Sequence, residues 1–181
     1  MKQIEIETTY LATKLPDGLD PLQSRILADT YFPAGSVHPS LRIRQKGSSY
    51  MLTKKTKLDA ADASTQQEEN IALTQEEFAA LNAGNGKRVS KIRYEVPVGE
   101  YTAEVDIFTG DLAGLVLVDV EFPSKEARDN FIKPDFCGGD VTQEDFIAGG
   151  MLAGKRYADI ADELARWDYQ SIDVSHLIDT H

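Results

Sequence analysis

A two-residue alternation of apolar and polar positions runs through most of the chain. In Ile4-Glu5-Ile6-Glu7-Thr8-Thr9 it puts Ile4 and Ile6 on one face of a strand and Glu5, Glu7 and Thr9 on the other. The same pattern, cut by turn residues, predicts strands over 3–11, 25–32, 41–46, 50–58, 68–73, 89–96, 101–108 and 115–122. Pro16-Asp17-Gly18, Pro33 with Gly35, Gly47-Ser48-Ser49 and Thr109-Gly110-Asp111 mark the turns, and Asp20 to Gln23 opens a short helical piece. The run 59–65 is small and polar without a period and reads as a mobile loop.

Helical signals are fewer. Thr74-Gln75-Glu76-Glu77 has capping-box spacing and predicts a helix over 75–81 that stops by Gly84. Ser124 caps a second, through Phe131, ended by Pro134. Thr142-Gln143-Glu144-Asp145 opens a C-terminal helical segment from about 142, in which Ile160, Leu164 and Trp167 recur at helical spacing as core positions. The tail, 171–181, carries no pattern and is expected to be mobile. The 181 residues suit one domain, 1–181.

The polar faces of the strands carry unusual charge doublets. The first strand shows Glu5 and Glu7, the third Arg42 and Arg44, the fourth Lys55 beside Thr53. The fifth shows Glu68, the sixth Lys91 and Arg93, the seventh Glu104 and Asp106, the eighth Asp119 and Glu121. The opposite faces hold Ile4, Ile6, Leu41, Ile43, Ile92, Tyr94, Val105, Ile107, Val116, Val118 and Val120. Two architectures fit one apolar and one hydrated face. In a sandwich the charges look outward; in a closed barrel of eight strands they line a wet lumen, with helices over the apolar outside. Acids two residues apart on a strand lie roughly 6.5–7 Å apart, a span one divalent cation can bridge. A merely soluble surface intersperses its charges, whereas confined doublets suggest a basic wall for a polyanion and an acidic wall for its metals.

Composition narrows the function classes. Hydrophobic residues at 41% and charged residues at 27% are ordinary for a globular fold. A net charge of -11 argues against nucleic acid or an anionic membrane surface as partner, although a basic cluster inside a cleft still attracts a small anion. The single cysteine, Cys137, fits a reducing compartment. With neither an apolar leader nor a membrane-length run, the expected location is cytoplasmic.

The stretches EIETTYL, LRIRQKGSSYMLTKK, KIRYEVPVGEYTAEVDIFTGDLAGLVLVDVEFPS, PDFCGGDVTQEDF and MLAGK occur in order over residues 5–155. Together they resemble the CYTH superfamily, the triphosphate tunnel metalloenzymes, which includes thiamine triphosphatases, inorganic triphosphatases and class IV adenylyl cyclases. The resemblance implies an α+β fold: a closed eight-stranded antiparallel β tunnel with a polar lumen and a few covering helices. It implies hydrolysis of a linear triphosphate, with Arg42, Arg44, Lys55, Lys91, Arg93 and Lys155 on the phosphates. Glu5, Glu7, Glu104, Asp106, Asp119 and Glu121 would hold Mg²⁺ or Mn²⁺, and the catalytic carboxylate would be Glu7, Glu68 or Asp106. The partner implied is a triphosphate-bearing small molecule, bound by a monomer or homodimer.

Two positions depart from the family pattern. Thr9 stands where E-x-E-x-K has its lysine, and Asp119 where a glutamate is usual. The first removes a cation expected near the terminal phosphate or the attacking water. It motivates one alternative, a tunnel that binds a polyphosphate or nucleotide without turning it over; a second, a cyclase in which a ribose hydroxyl attacks, stays open because it would share the same binding residues.

Overall fold

The computed structural model describes residues 2–59 and 61–178. Nine strands run β1 Lys2–Ala12, β2 Arg25–Phe32, β3 Leu41–Lys46, β4 Ser49–Asp59, β5 Asp62–Leu73, β6 Lys87–Val98, β7 Tyr101–Phe108, β8 Val116–Glu121 and β9 Cys137–Asp140. Their spatial order is β5-β4-β3-β2-β6-β7-β8-β1-β9, and β1 also pairs with β5. All pairings are antiparallel, so eight strands close on themselves as a barrel. β1 makes the closure by changing partner along its length. Lys2 to Ile6 pair with β5, and Glu7 to Leu11 pair with β8. The ninth strand, which alternation does not reveal in Cys137-Gly138-Gly139-Asp140, sits beside Tyr10 and Ala12.

The apolar faces turn outward and are covered on one side. Ile92, Tyr94, Val105, Ile107, Val116, Val118 and Val120 form one cluster with Phe122, Phe136, Val174 and Leu177. Burial of these side chains is the main stabilising term, at about 25 cal/mol per Å² of apolar surface. Ile4 departs from the expected buried face: it is 66% exposed, because no covering element reaches that part of the wall among the described residues. A second cluster closes one end of the barrel. Leu11, Phe108 and Leu117, at lumen-facing positions, pack with Leu115, Val141, Ile147, Leu152, Ile160 and Leu164.

The helices are short: α1 Gln75–Asn82, α2 Lys125–Asp129, α3 Gly149–Leu152, α4 Ala161–Ala165 and α5 Ser175–Ile178. α1 starts as its capping box requires, with Thr74 Oγ1 accepting from the Glu77 N–H and the Glu77 carboxylate accepting from the Thr74 N–H. The C-terminal segment is a series of single turns rather than one helix. Gly150 begins the close approach there: a Cβ on it would lie 2.1 Å from the Pro39 carbonyl oxygen.

One expectation of mobility is corrected. The run 59–65 continues β4 and β5, with Asp59 paired to Asp62; only residue 60 lies outside the described residues. Asp62 replaces the missing apolar anchor, accepting from Ser64 N (3.0 Å) and Lys125 Nζ (3.0 Å). In the tail, Val174 and Leu177 are buried against the barrel, while 179–181 lie outside the described residues. No described helix is long and apolar enough to cross a membrane.

Candidate active site

Strand order sorts the charges. The base-bearing strands β4, β3 and β6 form one arc of the barrel, with β2 between the last two. The acid-bearing strands β7, β8, β1 and β5 form the other arc. Between them lies a cavity of about 430 Å³ whose lining includes Glu5, Glu7, Arg42, Arg44, Lys55, Glu68, Lys91, Arg93, Glu104, Asp119 and Glu121. The doublets therefore face inward, as the tunnel requires and a sandwich does not. Lys155 does not join them. It is exposed and borders a separate outer pocket with Arg88, Ser90 and Thr109, because the turn at Gly154 hydrogen-bonds to the outside of β6 through the Arg88 carbonyl (2.9 Å).

Within the basic arc, Arg44 donates from Nε and Nη2 to the two oxygens of Asp29, both at 2.6 Å. Arg42 Nη1 lies 3.8 Å from Asp29 and its Nη2 3.8 Å from Glu68, and its buried Nε has no hydrogen-bond partner. Lys55 Nζ donates to Glu5 at 2.8 Å and lies 3.3 Å from Glu68. Burial opposes the charge on Lys55, but Glu7, Glu5 and Glu68 hold it well above the usual lysine range. Lys91 is pushed below that range by burial, with Asp106 opposing.

Asp106 sits behind the bases of the wall. It is fully buried (0% exposed), does not border the cavity, and its oxygens receive Lys91 Nζ and the Arg93 fork (Nε 2.6 Å, Nη2 2.5 Å). Burial would raise its proton affinity, yet these cations hold it well below the ordinary carboxylate range. A carboxylate that accepts three donors from two bases holds those bases in place. Arg93 also reaches Glu104 and stands 3.7 Å from Asp119.

The acidic arc is short of positive charge. Burial, then repulsion from Asp119, lifts Glu7 to about 7. Asp119 is raised by burial and Asp106, and Glu121 by desolvation and Glu5. Glu68 moves the other way, since Lys55, Asn70 and Arg42 outweigh its burial. Among the described residues no three carboxylates or other ligating groups are already gathered into a cation cage. The two departures from the family pattern are each other's partners: Thr9 Oγ1 donates to Asp119 Oδ1 at 2.7 Å. Thr9 N donates to Thr142 Oγ1 at 3.0 Å, tying this pair to the segment that closes the barrel end.

Sequence reading missed Asp29 and Tyr31, the second of which also borders the cavity. The period-2 series Leu27, Asp29, Tyr31 was the available signal, but a single acid between apolar residues makes no doublet.

No protein-family profile matches the chain. An inorganic triphosphatase of Nitrosomonas europaea is 36% identical over 152 residues, covering 82% of this chain and 96% of the relative. An inorganic triphosphatase of Acetivibrio thermocellus is 41% identical over 69 residues, covering 38% of this chain and 43% of the relative. Among solved structures, the inorganic triphosphatase NE1496 superposes with a TM-score of 0.60 at 32% identity, over 83% of this chain and 95% of that one. A Bacillus halodurans protein superposes with a TM-score of 0.54 at 18% identity, over 89% and 97% of the two chains, a likeness of fold alone.

Proposed function

The chain belongs to the CYTH superfamily of triphosphate tunnel metalloenzymes, and from that premise we propose that it hydrolyses a linear triphosphate, inorganic triphosphate first among them, inside the barrel. The observation that carries the reading is the division of one cavity into a basic arc and an acidic arc. Phosphoryl transfer asks little covalent chemistry of a protein; positioning and neutralisation of charge supply most of the rate.

Arg42, Arg44, Lys55, Lys91 and Arg93 bind the phosphate oxygens, the arginines through the guanidinium N–H groups that their carboxylate partners leave over and the lysines as point charges. The orphaned Nε of Arg42 is a donor waiting for such an oxygen. Glu5, Asp119, Glu121 and Glu104 would hold Mg²⁺ or Mn²⁺, and repulsion among the acids supports a cation there. When bound, the metal supplies charge neutralisation to the phosphate chain. Of the three carboxylates considered for proton transfer, Glu7 is favoured. A group lifted to about 7 can take a proton from water near neutral pH, whereas Glu68 is held low and Asp106 is occupied. Thr9 positions Asp119 and leaves the lysine's former task to the remaining cations.

The test is phosphate release from tripolyphosphate, thiamine triphosphate and ATP, with Mg²⁺ and Mn²⁺ in turn. Orthophosphate from tripolyphosphate only in the presence of metal is expected. Binding without release would make the barrel a carrier, and cyclic AMP with pyrophosphate from ATP would make it a cyclase.

A further inference from the structure

β2 separates the base-bearing strands β3 and β6, and its lumen-side series places Asp29 directly opposite Arg44 on β3. Asp29 is 4% exposed and sits inside the wall that receives the anion. Burial works against its charge, yet Arg44, with Arg42 and Lys91, holds its proton affinity below the usual carboxylate range, so it stays ionised. A negative charge here weakens the general attraction of the wall for phosphate. Attraction therefore gives no reason for it, and orientation does.

An arginine on a strand has a long, mobile side chain, and fixing it at the moment of binding costs rotamer entropy. The contact to Asp29 is made beforehand, with the Nε and Nη2 edge at 2.6 Å to both oxygens. That leaves the Nη1 corner of Arg44 for a ligand. The same carboxylate stands 3.8 Å from Arg42, in position to screen the two guanidinium groups from each other.

We infer that Asp29 is a positioning residue for the triphosphate: it fixes the Arg44 fork and the Arg42–Arg44 spacing before the substrate arrives. The inference rests on the triphosphatase reading. Asp29 takes no part in bond breaking, so its removal should be read in substrate capture rather than in the chemical step.

Asp29→Asn keeps the size and removes the charge and one acceptor. The KM for tripolyphosphate is expected to rise about ten-fold or more, the effect of losing a charge-assisted contact, while kcat falls by less than about three-fold. Arg44→Lys keeps the charge beside Asp29 and loses the fork, so it should raise KM in the same way. The double variant should be no worse than the weaker binder of the two singles, because both break one interaction. A folded Asp29→Asn protein with an unchanged or lowered KM overturns the inference, as do single effects that multiply in the double. If Asp29→Asn does not fold, Arg44→Lys decides, and an unchanged KM there overturns it. Should the wild type release no phosphate, the hydrolase reading fails separately. The comparison is then made on the dissociation constant for tripolyphosphate by calorimetry, where a ten-fold loss supports the inference and no loss overturns it.

Discussion

Arg42, Arg44, Lys55, Lys91 and Arg93 each face a carboxylate, so a triphosphate meets bases whose charge is already partly neutralised. Arg42 is the least committed of them to carboxylates: both lie 3.8 Å away, its Nη1 donates to the Tyr31 hydroxyl at 3.4 Å, and its Nε is orphaned. Arg42→Ala should weaken tripolyphosphate binding by about ten-fold or more and flatten its dependence on salt, measured by calorimetry at several ionic strengths. Glu7→Gln should lower kcat about a hundred-fold. The wild type is expected to lose activity as pH falls through about 7, where Glu7 becomes protonated, and the variant to lack that step. A pH–rate profile of both proteins checks this. Thr9 and Asp119 are bonded to each other, so Thr9→Lys and Asp119→Glu should be strongly non-additive in kcat/KM, which a double-mutant cycle measures.

At the scale of elements, the strands were legible because each buries one face and wets the other, and the doublets told which face was wet. Alternation alone left barrel and sandwich open, since both bury one face; the pairing of β1 with β5 decides between them. The rest was hidden for particular reasons. Gly138 and Gly139 have no side chains to alternate, and a Cβ on Gly139 would lie 2.5 Å from the Trp167 ring, so β9 is specified by what packs on it. Ser64 and Asp62 hold the β4–β5 hairpin by hydrogen bonds, which leave no apolar period. Val174 and Leu177 are too few to show a pattern, yet they complete the outer core. Leu177→Ala should cost about 2–5 kcal/mol in urea unfolding while leaving the KM for tripolyphosphate unchanged, because its contacts lie outside the lumen. Among site residues, the paired charges of the walls were readable, while Asp29 was not, and Asp106 was readable as an acid but not as one that already accepts three donors from two bases.

For the whole molecule, the acidic arc sets a pH dependence of stability. The Glu7 value of about 7 in the fold exceeds its ordinary 4.5, so its contribution is fully present below about 4.5 and is lost as pH rises through about 7. Asp119 and Glu121 act in the same sense. Asp29 and Asp106 act in the opposite one, stabilising above their unfolded values and failing as acid protonates them. With chelator present, melting temperature should therefore fall between pH 5 and pH 8, by an amount equivalent to no more than about 3 kcal/mol from Glu7. Glu7→Gln should flatten that fall, and added Mg²⁺ should reverse it, both read from thermal melts.

The switch of partner within β1, from β5 at Ile6 to β8 at Glu7, has a consequence for how the molecule comes into being. β1 is joined on one flank by residues 65–69 and on the other by residues 117–121, so a ribosome must reach residue 121 before the seam can shut. Until then the opposing charges have no common room to meet in, and a nascent chain is without a working chamber however much of its sheet has already formed.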